Sequence, residues 1–516
     1  MNSVELSIFA SRIEAVCDEM GGVLRRAAFS PNIRDRLDFS CAVFDAQGEL
    51  CAQAAHIPVH LGSMAYAMRD IVERIDWQEG DMIVMNDPFL GGTHLPDVTL
   101  IAPVFAESRL AGYVANRAHH ADIGSHTPGS MPISRQLEEE GVIIPPQHLL
   151  RAGELEQDLL QGILNATRNP HVGQGDFSAQ ISANRTGIRR LQVLIAQLGL
   201  AGYAQALTEL NHYGERLARY ALSRIPAGDY VFEDAMDDDG LGHTRLTICL
   251  ALHVDESGVE ADFSGTAAQT PGNINCPLSV AAAAVYYVFR CLMPAQTPAC
   301  AGSFRAIRLS APPGCLLNAQ RPAAVAAGNV ETSTRVVDVV MGALAQAFPD
   351  QIPAASHGSM NNLAMGGCWG DQLWDYYETM GGGMGGGPRY PGLSGVQTHM
   401  TNTRNTPIEV LESHYPLRVR EYALREGSAG DGLHRGGEGL IREIEFLAPT
   451  TLTLLTERRL LAPWGLQGGK NGKLGSNHLN GQPLAGKISC EVAPGDILRV
   501  ETPGGGGWGE PVAELT

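Results

Sequence analysis

Two apolar runs lying close together constrain this chain more than any other feature. Residues 98–105 and 112–118 have the length and β-branched content of buried strands. A turn at residues 107–110 would join them as an antiparallel hairpin. The polar residues stand just outside the runs: His94 and Asp97 before the first, His119, His120 and Asp122 after the second. In an antiparallel pair the start of one strand lies beside the end of the other, so these groups would meet at one rim of the sheet. Imidazole nitrogen and carboxylate oxygen together suit Zn²⁺, Mn²⁺ or Fe²⁺, and three protein ligands leave positions open for water or substrate. Successive side chains of a strand point to opposite faces. One of His119 and His120 therefore reaches the ion, and the other orients a substrate or a neighbouring ligand.

The rest of the chain narrows the chemistry. A net charge of −19 argues against a nucleic-acid partner. The only lysines are Lys470, Lys473 and Lys487, so the body of the chain has neither a phosphate-loop lysine nor one for a Schiff base. Any nucleotide chemistry is expected on another polypeptide. The ten cysteines include no Cys-x-x-Cys pair and read as free thiols. No run approaches the ~20 apolar residues of a membrane span, and the start MNSVELSIFASRIEAV lacks a basic leader region; a cytoplasmic location is expected.

At 516 residues the chain should divide into lobes. We expect an α+β, multi-lobed fold with four regions: an N-terminal α/β region over 1–148 carrying the metal site, a helical hairpin region over 149–228, a central α/β region with glycine-rich loops over 229–415, and a β-rich lobe over 416–516. Helices are expected at 3–28, with an apolar stripe of Phe9, Ile13, Val16, Met20 and Val23, and at 64–75, 149–165, 178–198 and 204–225. A hairpin is expected at 39–52, and His56 and His60 after it either line the metal site or bond the backbone. Residues 229–264 alternate as a meander. Asn329, Glu331 and Ser333 either cap a helix starting near Thr332 or turn its N-terminus toward an anionic group. Glu378, His399, Asn402, Glu409 and Glu412 offer a second polar set near glycine-rich loops, whose backbone can approach a ligand closely. Arg458 and Arg459 read as a solvated turn or an anion site.

Laid out in this way, the chain resembles the hydantoinase B/oxoprolinase family. The matching stretches are RLDFSCAVFD with HIPVHLGSM, NDPFLGGTHLPDVTL, NRAHHADIG, GNVETSTRVVD, ETMGGGMG, NTPIEVLE, ERRLLAPWGLQGGK and PGGGGWG, in order along nearly the whole chain. The resemblance implies a B-type subunit with a divalent metal, Zn, Mn or Fe, on His94, Asp97 and His119. It also implies an A-type partner that holds ATP and Mg²⁺ and phosphorylates the carbonyl oxygen of a cyclic amide. A homodimer within a heterotetramer is the implied assembly. His120, Asp122 and Glu140 are the expected catalytic groups, with Asp122 or Glu140 carrying the proton. The alternative within the family is the α-type subunit of an ATP-dependent ketone carboxylase, whose subunits are longer.

Overall fold

The computed structural model describes residues 1–511 apart from His56, so one of the two histidines weighed above lies outside the described residues. Seven strands form the first sheet: β1 (Phe39–Asp45), β2 (Leu50–Ala55), β3 (Met82–Met85), β4 (Asp97–Ala106), β5 (Arg109–His119), β6 (Gln147–Arg151) and β7 (Glu154–Leu155). Their spatial order is β2-β1-β5-β4-β3-β6-β7. The expected hairpin is the β4–β5 pair at its centre. Its register sets Asp97 directly opposite His119. The turn is made by Glu107 and Ser108, with φ of +51° and +57°, a two-residue left-handed turn whose twist matches the strands it joins.

Alternation along these strands separates two cores. Val98, Leu100, Ala102 and Val104 pack with α1 (Ser3–Ala27) and with the long helix of residues 170–198. Ile101, Tyr113 and Ala115 pack with the helix of residues 58–73 on the other face. In α1 the stripe is Phe9, Ile13, Val16 and Met20 as expected, completed by Leu24 where Val23 was anticipated. A four-residue helix, α2 (Pro31–Arg34), leads into β1. The next helix, α3 (Pro58–Glu73), starts earlier than the expected residue 64, with proline in its first turn. His60 is consequently a helical residue.

The expected helix over 149–165 is corrected at its front half. Residues there form β6 and β7 around a turn at Ala152 and Gly153, and only α4 (Gln157–Asn165) is helical. Helices α5 (Pro170–Leu198) and α6 (Leu200–Leu222) follow. They meet at Gly199 with a bend of 104°, an elbow in place of a closed hairpin. Among the described residues no single helix is long and apolar enough to cross a membrane.

The expected meander forms β8 (Gly228–Asp238), β9 (Thr244–Asp255) and β10 (Gly258–Asp262), extended by β11 (Ile307–Ser310) in parallel with β10. Two apolar helices, α7 (Leu278–Leu292) and α8 (Ser333–Ala347), share a core with this sheet. The remaining strands are β12 (Asn362–Trp369), β13 (Gln372–Glu378), β14 (Leu417–Arg425), β15 (Gly439–Phe446), β16 (Thr450–Leu455), β17 (Ser476–Leu479), β18 (Gln482–Leu484), β19 (Lys487–Val492) and β20 (Ile497–Glu501). They form two sheets, β13-β12-β16-β19 and β14-β15-β20-β17-β18. A shared core that includes Leu363, Tyr376, Ile444, Phe446 and Leu498 joins them. The β-rich part thus draws strands from both sides of residue 416. The chain is a mixed α+β fold, as expected.

Two features of this part differ from the sequence expectation. The glycine-rich runs, which the sequence left open between a ligand contact, a lid and a subunit contact, approach one another. Gly386 donates to the Gly506 carbonyl (2.8 Å), Gly437 to Met384 (2.8 Å), Gly505 to Gly437 (3.0 Å) and Gly507 to Lys470 (2.8 Å). A Cβ on Gly383 would fall on the Gly437 carbonyl oxygen and the Gly505 nitrogen, so only glycine fits there. Arg458 is likewise no solvated turn. It is 1% exposed and pairs with Asp234 (2.8 Å) and with Asp338. Around it Arg335 and Lys487 both reach Glu457, at 3.1 and 2.5 Å, and Asp237 accepts the backbone N–H of Arg459. Asp234, Asp237 and Asp338 come from β8 and α8, more than a hundred residues upstream, which is why local composition did not reveal them.

Candidate metal centre

The loop before β4, NDPFLGGTHLPD, is built to present His94 and Asp97. Asn86 staples it, donating to the carbonyls of Leu95 (2.8 Å) and Val142 (2.9 Å) and accepting from Ile144 N–H (2.7 Å). Gly92 sits so close to the Asn86 carbonyl that a side chain would collide with it. At the rim, one ligand atom from each of His94, Asp97 and His119 lies within 4.8 Å of the others. The three residues are 0%, 1% and 3% exposed, so their ligand atoms are buried.

Each side chain is held from behind. His94 Nδ1 faces the Ala326 carbonyl at 3.2 Å, which fixes the proton on Nδ1 and leaves Nε2 as a lone pair. Asp97 Oδ2 accepts from Thr93 Oγ1 (2.6 Å) and Asn329 Nδ2 (3.3 Å). Asn329 therefore faces an anionic group, Asp97 itself, and no side chain caps α8. His119 Nδ1 lies 3.1 Å from the Asn32 side-chain amide; ligation through Nε2 requires Nδ1 to carry the proton and Asn32 to present its oxygen. The His119 ring also stacks flat on Tyr377, centroids 4.9 Å apart. Arg36 lies over the same phenol ring at 4.8 Å and donates to the Tyr377 carbonyl (2.8 Å) and Thr379 Oγ1 (3.2 Å).

What remains open is informative. His94 Nε2, Asp97 Oδ1 and His119 Nε2 are all buried and make no hydrogen bond of good geometry, although His94 Nε2 lies 3.2 Å from Asp97 Oδ2. All three are the acceptor type a cation takes, and burying such atoms unpaired costs about 1–3 kcal/mol each. The donor set fits a divalent transition metal. The electrostatics agree. Burial pulls His94's pKa down, but Asp97 outweighs it and the net shift is upward. Burial likewise works to raise Asp97, yet His94 and His60 hold it well below the usual carboxylate range. Burial, then His94, keeps His119 neutral. A positive charge belongs at this point, as a proton or as a metal ion.

The hydantoinase B/oxoprolinase family model matches residues 2–511. The chain belongs to this family. It is 40% identical over 521 residues to an uncharacterized protein of Methanocaldococcus jannaschii, covering 99% of this chain and 91% of that one. It is also 40% identical over 550 residues to 5-oxoprolinase 1 of Arabidopsis thaliana, covering 99% of this chain but 42% of the plant protein. The chain thus spans less than half the length of that relative. The crystal structure of ATP-dependent caprolactamase from Pseudomonas jessenii matches with a TM-score of 0.92 and 26% identity, over 99% of this chain and 91% of that chain.

Of the other expected site residues in this family member, His120 points to the opposite face, as the strand period requires. Its Nε2 lies 2.9 Å from Gln180 Oε1, and its ring packs on Phe177 of α5. Asp122 is occupied in bracing a loop, accepting from Gly124 N–H (2.8 Å), Ser130 Oγ (2.9 Å) and Arg168 N–H (2.6 Å). Glu140 stands behind His94. Its Oε1 accepts from Ser134 Oγ and from the N–H groups of Val325 and Ala326, while Oε2 has no partner. Burial pushes its pKa up to about 7. His60, left open between two readings, is at the centre: its Nε2 is 3.4 Å from Asp97 Oδ2. Sequence reasoning missed Asn32, Arg36, Arg117 and Tyr377. Arg117 bonds Thr99 (2.8 Å) and Ser63 (2.7 Å), tying α3, and with it His60, to the hairpin. Position in the strand is a usable signal for Arg117, which shares a face with His119; Tyr377 arrives from 258 residues away and leaves none.

Proposed function

We propose that the chain is the B-type subunit of an ATP-dependent cyclic amide hydrolase. The observation that carries this reading is the enclosed triad of unpartnered ligand atoms on His94, Asp97 and His119, in a chain similar over its whole length to ATP-dependent caprolactamase. Cyclic amides resist water because nitrogen donation weakens the carbonyl as an electrophile. A partner that holds ATP phosphorylates the carbonyl oxygen and removes that protection. Water then adds to the carbon and the ring nitrogen leaves with a proton. The resulting acyl phosphate is hydrolysed by a second water to the ring-opened acid and phosphate. A Zn²⁺, Mn²⁺ or Fe²⁺ ion on the triad supplies Lewis acidity and a lowered water pKa.

This chain's own residues supply the rest. Ala326 and Asn32 fix the two imidazoles, Thr93 and Asn329 fix Asp97, and His60 holds charge on the same carboxylate. Glu140, with its pKa near 7 and one free oxygen, is the group we assign to carry the proton to the departing nitrogen. Asp122, fully engaged with its loop, is not needed for that step.

The test is the chain co-purified with an ATP-binding A-type partner, assayed on lactam, hydantoin and ketone panels. His119→Ala is expected to abolish product while partner-dependent ATP turnover continues. Loss of both, with the complex intact, overturns the division of labour. A product that requires bicarbonate would indicate the ketone carboxylase instead.

A further inference from the structure

The triad is enclosed, yet an ion has to reach it. The residues that back its ligands, Asn32, His60, Ala326, Asn329 and Tyr377, are themselves buried. Along the loop that carries His94, by contrast, Phe89, Leu90 and Gly91 are partly exposed. Together with Leu278, Ser279 and Asn318 they line a surface cavity of about 220 Å³. At ~30 Å³ per water it holds about seven waters. That is small for an organic ligand and enough for a divalent ion in its hydration shell. From this cavity Gly91 and Gly92 lead directly to Thr93, whose hydroxyl bonds Asp97 at 2.6 Å.

Both ends of the loop are fixed. Asn86 and Asp87 donate their N–H groups to the Ile144 carbonyl, at 2.9 and 3.3 Å, and Asn86 Nδ2 holds the Leu95 carbonyl at 2.8 Å. Between these anchors Pro88–Leu90 makes one tight helical turn. Leu90 and Gly92 close it by donating to the Asp87 carbonyl, at 3.1 and 2.8 Å. Gly91 holds a φ of +108°, and two adjacent glycines place a hinge just ahead of the ligands. Three contacts hold the turn down. Arg117 Nη2 donates to the Gly91 carbonyl (3.1 Å) and Ser279 Oγ to the Gly92 carbonyl (3.1 Å), both from buried side chains. The third contact faces solvent. Arg321, half exposed, pairs with Asp87, whose other oxygen accepts the Phe89 N–H at 3.0 Å. Its guanidinium also lies 5.2 Å from the centre of the Phe89 ring.

We propose that residues 88–91 are a flap over the metal centre, latched by Arg321, which opens toward this cavity to let a divalent ion pass. The proposal rests on the reading of the triad as a metal site. A flap that is closed over the empty and the filled site alike slows arrival and departure by one factor, so it sets the rates of exchange and leaves the affinity alone. A residue that shapes the ligands would instead change the affinity.

The full chain is loaded with Zn²⁺, and release to an excess of chromophoric chelator is timed, as is uptake by the stripped protein. Arg321→Met should speed both several-fold and leave Kd unchanged. Unchanged rates overturn the proposal. So does faster release alone, with Kd raised to match, because Arg321 would then support the ligands. Hydrogen–deuterium exchange on metal-free protein gives a second reading. In Arg321→Met it should rise several-fold across residues 88–92 and stay unchanged in β4 and β5, which also shows that the fold is kept. Exchange across 88–92 equal to wild type overturns the flap. If wild type holds no Zn²⁺ while that exchange rises, the metal reading falls and the flap stands, so the two fail separately.

Discussion

At the hairpin rim, three buried ligand atoms of one kind face each other: His94 Nε2, Asp97 Oδ1 and His119 Nε2, all lone-pair donors to a cation. Where β8, α8 and the loop after β16 meet, Arg335, Asp338, Glu457, Arg458 and Lys487 are as deeply buried, but charges of opposite sign are matched. Arg458 faces Asp234 and Asp338, while Arg335 and Lys487 face Glu457. The second cluster matches its charges, although Arg335 Nε, Arg458 Nε and Asp338 Oδ1 keep no hydrogen-bond partner, and it fastens elements distant in sequence. In the first, Asp97 has only the imidazoles of His94 and His60 beside it, at 3.2 and 3.4 Å, so its positive charge comes as a proton or as a metal ion. Burial alone does not separate a site from a brace; what separates them is whether the buried groups answer one another.

The largest effect expected from this contrast comes from breaking each cluster once. Arg458→Ala leaves Asp338 and Asp234 with only Arg335, at 3.9 and 3.4 Å, and should destabilise the protein by about 3 kcal/mol in urea unfolding, with unchanged metal content in the folded fraction. Asp97→Ala should lower metal content to background while hardly moving the stability of chelator-treated protein. Equal losses of stability in the two variants would erase the distinction.

A second experiment addresses the ground between the clusters. Glu331 accepts from Met360 N–H (2.9 Å) and Asn362 Nδ2 (2.7 Å), and Asn362 in turn accepts from the Tyr377 hydroxyl that belongs to the metal side. Burial, then the charge of Glu457, pushes Glu331 up to about 8. A carboxyl raised in the folded state favours folding while it is protonated, and this is lost as pH rises from the unfolded value, about 4.3, through the folded one. Wild type should therefore lose stability relative to Glu331→Gln between about pH 5 and pH 8. A constant difference across that window would show that Glu331 is ionised throughout and belongs with the paired cluster.

The smallest effect concerns the ring on His119. Tyr377→Leu removes the stacking surface and should weaken metal affinity about ten-fold, read by chelator competition. Tyr377→Phe keeps the surface and should stay within about two-fold of wild type. Equal weakening in both would assign the effect to the hydroxyl and its bond to Asn362.

The parts of this architecture readable from sequence are those decided locally. Two β-branched runs with a short gap forced the β4–β5 hairpin, and the hairpin forced Asp97 beside His119; the two-residue period sent His120 to α5. Local signals failed where two periods fit the same residues. Leu149 and Leu150 suit a helix or a strand, and their pairing with β3 decided for the strand. They failed again where the partner is remote. Arg458 looked solvated because Asp234 lies 224 residues away, and Tyr377 gave no hint of His119. Glu378, one of the second polar set, is paired with Arg442 at 3.2 Å, a contact that needed β13 and β15 in place. Asn402, Glu409 and Glu412 stay exposed at the surface.

The interlocked glycine backbones carry a consequence for the order of assembly. Runs near residues 383, 437, 469 and 505 supply one another's hydrogen-bond partners, and no side chain can stand in for a missing run. Until residues 503–507 have been synthesised, the N–H of Gly386 and the carbonyl of Gly437 wait for partners that do not yet exist. The hairpin rim, whose ligands all precede residue 120, has no such dependence on the last stretch. The metal-binding end can take shape once Ala326, Asn329 and Tyr377 are in place, while the β-rich part stays unlatched until residues 503–507 are available to it.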